Sequence, residues 1–298
     1  MRTPRKAKQW IAWLALCCVS NCYGTTVVTL VTAHGIVICA DGKVTQGGND
    51  PAPRKLAISE QTSQKSFLIQ ERNAVSHTGI IELTDVYEIK GNRRVRANIP
   101  YSAGRIITEV RREFSPLFTT AKLADLIRNK LITAFAGFDV LLNSGSLRPE
   151  MLPPPHDLLT EFTIAGFDGE TAHVYSVGVD INWRSLSHAV EPIRPIYPGI
   201  RKNLSLTIAG HSDAIVELWN NRSGIAARQL EATLPLEYGA LQGDRDLEID
   251  HMTILARALV ILQIQRSPQA VGYPLTVITI PKSGRTTTRS YDDHQQLK

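Results

Sequence analysis

Apolar positions near the N-terminal end of the chain follow a strand-like pattern. Residues 26–32 and 36–40 predict two apolar strands, and a short turn at 33–35 joins them. Antiparallel strands connected in this way bring Asp41 back to the start of the first strand. Directly opposite Cα atoms lie about 4.5–5.5 Å apart. Depending on the turn type, the residue facing Asp41 is Thr26, Val27 or Val28.

The rest of the chain mixes short strand patterns with longer helical ones. Strands are predicted at 54–58, 66–70, 74–78, 161–166, 171–177, 204–209 and 275–280, and an inserted hairpin at 85–90 and 95–99. Apolar residues at helical spacing predict helices at 103–114, 120–138, 213–219 and 250–265. The proline-rich stretch 139–160 predicts a long surface loop.

Domain organisation follows from the absence of a linker pattern between these elements. The 298-residue chain is long enough to bury a full core, and 43% of its residues are apolar. We expect one domain over residues 25–285, preceded by a removable leader at 1–24 and followed by a loose tail at 286–298.

The leader has the layout of a secretory signal peptide. Basic residues at positions 2–8 precede an apolar run, Trp10 to Val19, and small and polar residues continue to Gly24. About ten apolar residues are too few to span a bilayer, which takes about twenty. We therefore expect export to the periplasm or the medium and no transmembrane segment in the mature chain. As an alternative, residues 19–22 come near a bacterial lipobox, and processing at Cys22 would anchor the protein to the envelope.

Charge and cysteine content do not indicate a nucleic-acid-binding protein or a disulfide-stabilised one. The formal net charge is +5, but the leader contributes four positive charges and no acid, so removing it leaves about +1. That balance does not indicate a nucleic-acid partner. Cys39 is the one cysteine after residue 24, so the mature chain has no intrachain disulfide.

The Gly24-Thr25 junction followed by two apolar strands is the most informative motif. The pattern Gly-Thr-Thr, an apolar run, Gly, a second apolar run and Ala40-Asp41 resembles the start of proteasome β-type subunits, the threonine peptidases of the N-terminal-nucleophile hydrolases. The resemblance implies an α+β fold, a four-layer α-β-β-α sandwich. It also implies a mature chain that begins at Thr25, with Asp41 sixteen positions on, as the family spaces them.

The same resemblance assigns roles to other residues. It implies that Thr25 is the nucleophile, that Asp41 orients an essential lysine, Lys55, and that the Gly79 N–H forms the oxyanion hole. Lys55 stands slightly nearer to Asp41 in sequence than the family's lysine. His77 matches the position that floors the primary specificity pocket. A threonine hydroxyl needs a nearby base, and a terminal α-amine, with a pKa of about 7.7–8.0, or a lysine can supply one.

The later half of the chain departs from the family pattern. The family surrounds the terminal amine with a serine in a Gly-Ser-Gly-Ser turn, and with an Asp followed three positions later by Ser-Gly. Here the turn contains His211 and Ser212, either of which can take the third place, and the later motif has Ser267 and Ala270. A catalytically silent binding or assembly subunit is therefore a second interpretation.

The expected partners follow from these interpretations. An active chain takes a peptide or another amide as substrate, and the mechanism requires no cofactor and no metal. No pair among the scattered histidines has metal-ligand spacing with a suitable acid. Subunits of this family stack through helix faces, so the helices at 103–114 and 120–138 predict a homo-oligomer.

Overall fold

The first apolar stretch forms the hairpin that its pattern predicts. In a computed structural model of the chain, residues 25–43, 64–83, 86–90, 93–97, 101–143, 158–182, 184–197, 204–243 and 246–292 are described. The hairpin consists of strands β1 (Thr26–Val31) and β2 (Gly35–Asp41), and every residue of both is buried. Continuous burial shows that this pair is covered on both faces.

The described residues form fifteen strands and seven helices, a mixed α/β architecture. The further strands are β3 (Ser66–Gln70), β4 (Asn73–Gly79), β5 (Glu82–Leu83), β6 (Val86–Lys90), β7 (Arg93–Ala97), β8 (Tyr101–Ser102), β9 (Thr160–Asp168), β10 (Thr171–Asn182), β11 (Ser187–Val190), β12 (Arg194–Tyr197), β13 (Ser205–Gly210), β14 (Leu275–Pro281) and β15 (Thr287–Tyr291). The helices are α1 (Ala103–Glu113), α2 (Thr120–Phe135), α3 (Phe138–Asn143), α4 (Asp213–Asn220), α5 (Ile225–Thr233), α6 (Pro235–Leu241) and α7 (Ile249–Arg266).

Two antiparallel sheets organise the molecule. One has five strands in the order β13-β1-β2-β14-β15, so the first hairpin lies at its centre. The other has the path β11-β10-β9-β4-β3, with β12 also paired to β10. Two small two-stranded sheets are formed by β5 with β8 and by β6 with β7. The predicted inserted hairpin is therefore confirmed as β6 and β7.

Three hydrophobic clusters hold these elements together. One lies between the two large sheets and includes Val27, Ile38 and Ala74. A second packs β1, β2 and β14 against α4–α7, and a third packs β4, β9 and β10 against α1–α3. Alternate residues of β1 belong to different clusters: Val27 to the first and Val28 to the second. The period-2 alternation of a strand thus serves two cores at once.

Several elements differ from the predicted ones. Helix α3 begins at Phe138 and extends to Asn143, into the stretch 139–160 that was expected to be a loop, and residues 144–157 lie outside the described ranges. Residues 287–291, expected to belong to a loose tail, pair with β14 as β15, where the hydroxyls of Thr279 and Thr287 lie 2.6 Å apart. The predicted strand at 54–58 and the leader at 1–24 also lie outside the described residues.

Candidate active site

The register of the central hairpin determines where Asp41 lies. Val27 pairs with Ala40, so Asp41 comes opposite Thr26, which was one of the three expected partners. The Thr26 N–H donates to Asp41 Oδ1 at 2.8 Å. Asp41 is 1% exposed and accepts a hydrogen bond from the residue that directly follows Thr25, so the predicted return of Asp41 to the start of the first strand is confirmed.

Asp41 is the acceptor of several converging donors. Besides the Thr26 N–H, the Lys43 N–H donates to Oδ2 at 3.2 Å and the Gly272 N–H donates to Oδ2 at 3.3 Å. The Lys65 ammonium lies 3.1 Å from each carboxylate oxygen and also donates to the Lys43 carbonyl. The carboxylate is therefore held by three backbone N–H groups and by the buried Lys65 ammonium.

The lysine beside Asp41 is Lys65, which the sequence pattern did not single out. Lys55, the lysine expected there, lies outside the described residues. Lys65 directly precedes β3, which pairs with β4, and its own carbonyl accepts the His77 N–H at 2.9 Å. A lysine immediately before a predicted strand was a usable signal. The family-like basic-Lys-apolar context at 54–56 made Lys55 the stronger candidate.

Burial changes the proton affinity of both members of this pair. Removal from water lowers the pKa of Lys65, while the Asp41 charge and hydrogen bond act in the opposite direction. Burial likewise raises the pKa of Asp41, and the Lys65 charge and the Thr26 N–H oppose that rise. A lysine with a lowered pKa can act as a base nearer to neutral pH than an exposed one.

Thr25 is held by the turn that follows β13. Its carbonyl accepts the His211 N–H at 2.7 Å, and the Thr26 hydroxyl donates to the His211 carbonyl at 2.5 Å. Gly210 has φ +77°, and a Cβ placed on it would lie 2.0 Å from the Thr25 carbonyl oxygen. Only glycine combines this backbone conformation with so close an approach. Thr25 itself is 4% exposed.

Of the candidates His211, Ser212 and Ser267, the structure brings His211 and Ser267 into contact. His211 Nε2 and Ser267 Oγ lie 3.0 Å apart, while the Gln263 amide lies 3.5 Å from the same hydroxyl. Ser212 is the N-cap residue of α4, where its side chain makes no capping hydrogen bond. Ala270 is buried, and its N–H donates to the Ser267 carbonyl. His211 is therefore the residue of this turn that the structure joins to Ser267.

Gly79 and His77 lie at the end of β4. Gly79 has φ +84°, and an added Cβ would meet the Leu159 carbonyl oxygen at 2.5 Å. The His77 ring is buried against Phe162, and its Nε2 is 2.9 Å from the Ile80 carbonyl oxygen. Burial lowers the pKa of His77 to about 3, so the ring is neutral at physiological pH. The assignment of His77 to a specificity pocket stays a prediction.

Across the described ranges, no cluster of three or more histidine, cysteine or carboxylate side chains is placed to bind a metal ion. Within the same ranges, no helix is both long and apolar enough to cross a bilayer.

Comparison with known proteins gives similarity at the level of structure. The chain is similar to the solved structure of Anbu (ancestral beta-subunit) from Yersinia bercovieri, with 12% identity and a TM-score of 0.49, over 91% of this chain and 88% of that one. It is also similar to an Anbu (Gly-1) mutant from Hyphomicrobium sp. strain MC1, with 12% identity and a TM-score of 0.47, over 92% and 89%. No family model matches the chain, and no curated protein matches it.

Proposed function

We propose that this chain is an exported, threonine-type amide hydrolase with the four-layer α-β-β-α fold of N-terminal-nucleophile hydrolases. The observation that carries the proposal is the buried Lys65–Asp41 ion pair bonded to the Thr26 N–H, one residue from Thr25. Burying two charges costs several kcal/mol per ion, and their mutual attraction often fails to offset it. Strongly perturbed, paired groups of this kind cluster at functional sites.

The chemistry begins when cleavage after Gly24 exposes the α-amine of Thr25. The neutral amine, or neutral Lys65, takes the proton of the Thr25 hydroxyl while its oxygen attacks the amide carbon of a peptide or another amide. The Gly79 N–H stabilises the oxyanion, an interaction worth about 2.7–4 kcal/mol per donor in other hydrolases. The leaving amine then takes a proton, and water hydrolyses the ester formed on Thr25.

The test is covalent labelling of the mature protein by a β-lactone, followed by intact mass and peptide mapping. We expect an N terminus at Thr25 and a single adduct on that residue. Thr25→Ala should abolish the adduct. Lys65→Met should reduce the labelling rate by at least about a hundredfold, which is typical for loss of a general base.

Two lysines provide the matched control for this experiment. Lys55→Met should label at the wild-type rate, because the structure places Lys65 on Asp41. Since a single substitution leaves Asp41 buried without its cation, the double variant Asp41→Asn with Lys65→Met checks that a folded protein still fails to label. A mature N terminus upstream of Thr25, or a lipid on Cys22, would contradict the proposal. Loss of labelling in Lys55→Met but not in Lys65→Met would also contradict it.

A second candidate function is a silent binding or assembly subunit with the same fold. It is favoured by the pairing of Ser267 with His211, because a neutral hydroxyl stands where the resembling family has a carboxylate. An unlabelled wild-type protein that begins at Thr25 would support this candidate. Labelling that appears only in the Ser267→Asp, Ala270→Ser double variant would show what the chain lacks.

A further inference from the structure

Three buried side chains converge on the backbone around Gly79. The His77 Nε2 lies 2.9 Å and the Tyr101 hydroxyl 3.0 Å from the Ile80 carbonyl oxygen. The Thr160 hydroxyl donates to the Thr78 carbonyl at 3.3 Å, and it lies 2.7 Å from the Tyr101 hydroxyl. His77 Nε2 also lies 2.9 Å from Thr160 Oγ1. The network therefore holds both carbonyls that flank Gly79.

Because the Thr78-Gly79 peptide is planar, the contact between Thr160 and the Thr78 carbonyl also affects the direction of the Gly79 N–H. The Thr78 carbonyl and the Gly79 N–H belong to one peptide unit and point in opposite directions. The carbonyl faces β9, where Thr160 binds it. The N–H therefore faces the opposite edge of β4, on the side where the Lys65 carbonyl accepts the His77 N–H. Fixing the carbonyl fixes the direction of the Gly79 donor, toward the edge that carries Lys65.

We propose that His77, Tyr101 and Thr160 are positioning residues that set the orientation of the Gly79 N–H. This inference rests on the proposed function for its catalytic consequence, although the orientation itself can be measured without activity. The residues come from β4, β8 and β9, so the network joins the end of β4 to the start of α1 and to the neighbouring strand. It is a different role for His77 from that of a specificity-pocket floor.

The surroundings suit a fixed network of neutral groups. All three side chains are buried, Phe162 packs on His77, and Phe135 packs on Tyr101. Tyr101 donates to the Ile80 carbonyl, Thr160 donates to the Thr78 carbonyl, and a neutral imidazole can donate its Nε2 proton to Thr160. Each hydroxyl proton thus has an acceptor, and exclusion of water strengthens each of these hydrogen bonds.

The first test uses nuclear magnetic resonance and needs no substrate. Thr78-Gly79 is the sole Thr-Gly pair in the sequence. Labelling threonine with ¹³C at the carbonyl and glycine with ¹⁵N therefore yields a single carbonyl–amide correlation peak, from the peptide in question. We expect this peak to move in Tyr101→Phe and in Thr160→Val, and to return to its wild-type position in Thr160→Ser, which keeps the hydroxyl.

Tyr238 supplies a matched control for the loss of a tyrosine hydroxyl. It is also buried, and its hydroxyl donates to the Arg222 carbonyl at 3.1 Å, away from β4. Tyr238→Phe should lower the midpoint of thermal unfolding about as much as Tyr101→Phe but leave the Thr78-Gly79 peak unmoved. A peak that stays in place in Tyr101→Phe and Thr160→Val, or moves equally in Tyr238→Phe, would overturn the proposal.

The second test measures the consequence for acylation by a β-lactone. Tyr101→Phe should lower the rate constant of adduct formation about tenfold while leaving the half-saturating probe concentration unchanged. A donor displaced by about 1 Å can cost a hundredfold, and a smaller tilt costs less. If the wild type does not label, the proposed function fails, and the position of the Thr78-Gly79 peak alone tests the orientation of the Gly79 N–H. A moved peak with unchanged acylation would refute the catalytic part of the inference.

Discussion

Lys65 is 2% exposed, although an ammonium is among the most strongly hydrated side-chain groups. Its charge is balanced by both oxygens of Asp41, and the Lys43 carbonyl accepts a further hydrogen bond. A well-packed apolar pair at this place would often be as stable or more stable. Stability alone therefore gives no reason for a charged pair here, which agrees with the catalytic role proposed for Lys65.

His77 makes the native state sensitive to acid. Its pKa is usually 6.5 and falls to about 3 on burial, so below pH 6.5 the unfolded chain binds a proton that the native ring does not. As the pH falls from roughly 6 to 4, the His77 contribution should lower the free energy of unfolding by about 1.4 kcal/mol for each pH unit. Above pH 6.5 its contribution should be constant.

Urea unfolding of wild type and His77→Gln across this range measures the effect. Wild type should be the more stable protein near pH 7, and its advantage should shrink on acidification because glutamine does not titrate. Tyr238→Phe, which removes a buried hydrogen bond and leaves every histidine in place, serves as the control and should leave the slope of the wild type unchanged. Equal slopes in wild type and His77→Gln would contradict the assigned burial.

At the scale of elements, β13 holds the beginning of β1 through a glycine. Gly210→Ala should cost more than the roughly 1–2 kcal/mol of a left-handed backbone, because its Cβ must also displace the Thr25 carbonyl. Gly243, at φ +88°, is the matched control: a Cβ added there would meet no atom within 4 Å, so Gly243→Ala should show the backbone cost alone.

Urea denaturation of both alanine variants, together with β-lactone labelling, tests this prediction. Gly210→Ala should also slow labelling of Thr25, since the start of β1 must shift. Equal losses of stability in the two variants would show that β1 can move away from β13 at no extra cost.

The elements that the sequence predicted best were those with a long, clear pattern. The β1–β2 hairpin and α7 stand close to their predicted bounds, since the hairpin is mostly apolar and α7 extends over many turns. Strand β15 was missed, because its Thr-Thr-Arg-Ser-Tyr sequence has no apolar face and pairs at an edge of the sheet. Helices α5 and α6 were missed as well; each is short, and such helices depend on packing more than on periodicity.

Prediction of the candidate site was limited by distance along the chain. Asp41 follows from the register of a local hairpin, and that part was predictable. Lys65 lies twenty-four positions after Asp41, and its approach depends on how the second sheet packs on the first. The pairing of His211 with Ser267 likewise depends on how the end of α7 meets the turn after β13. A local sequence pattern carries no information about either of these two contacts.

At the scale of the whole molecule, several large apolar side chains remain at the surface. Leu117 is 92% exposed, Val140 72% and Ile225 70%. Leu117 lies in the connection between α1 and α2, and Val140 lies on α3. Contiguous exposed apolar patches mark protein-binding surfaces, whereas single exposed apolar side chains are normal, so these residues only mark positions at which an interface can be tested. They are consistent with the predicted homo-oligomer, which remains a proposal.

Light scattering of the mature protein at micromolar concentration tests assembly. We expect a single species larger than the monomer. Val140→Glu should dissociate it if the surface near α1–α3 is the interface, whereas Ile225→Glu, on α5, should not. A monodisperse wild-type monomer would count against assembly, and dissociation by Ile225→Glu alone would place the interface on the other helical face.

Two of the three backbone donors to Asp41 stand far apart in the sequence: Thr26 near the start of the chain and Gly272 near its end. A ribosome adding about 5–20 residues per second needs some tens of seconds between them. Throughout that interval the nascent chain lacks β14, the strand beside β2, so the carboxylate has neither its last donor nor its final sheet neighbour. Under the proposed function, the order of synthesis therefore delays completion of the site, because Thr25 is made early and the last backbone donor to Asp41 is made late.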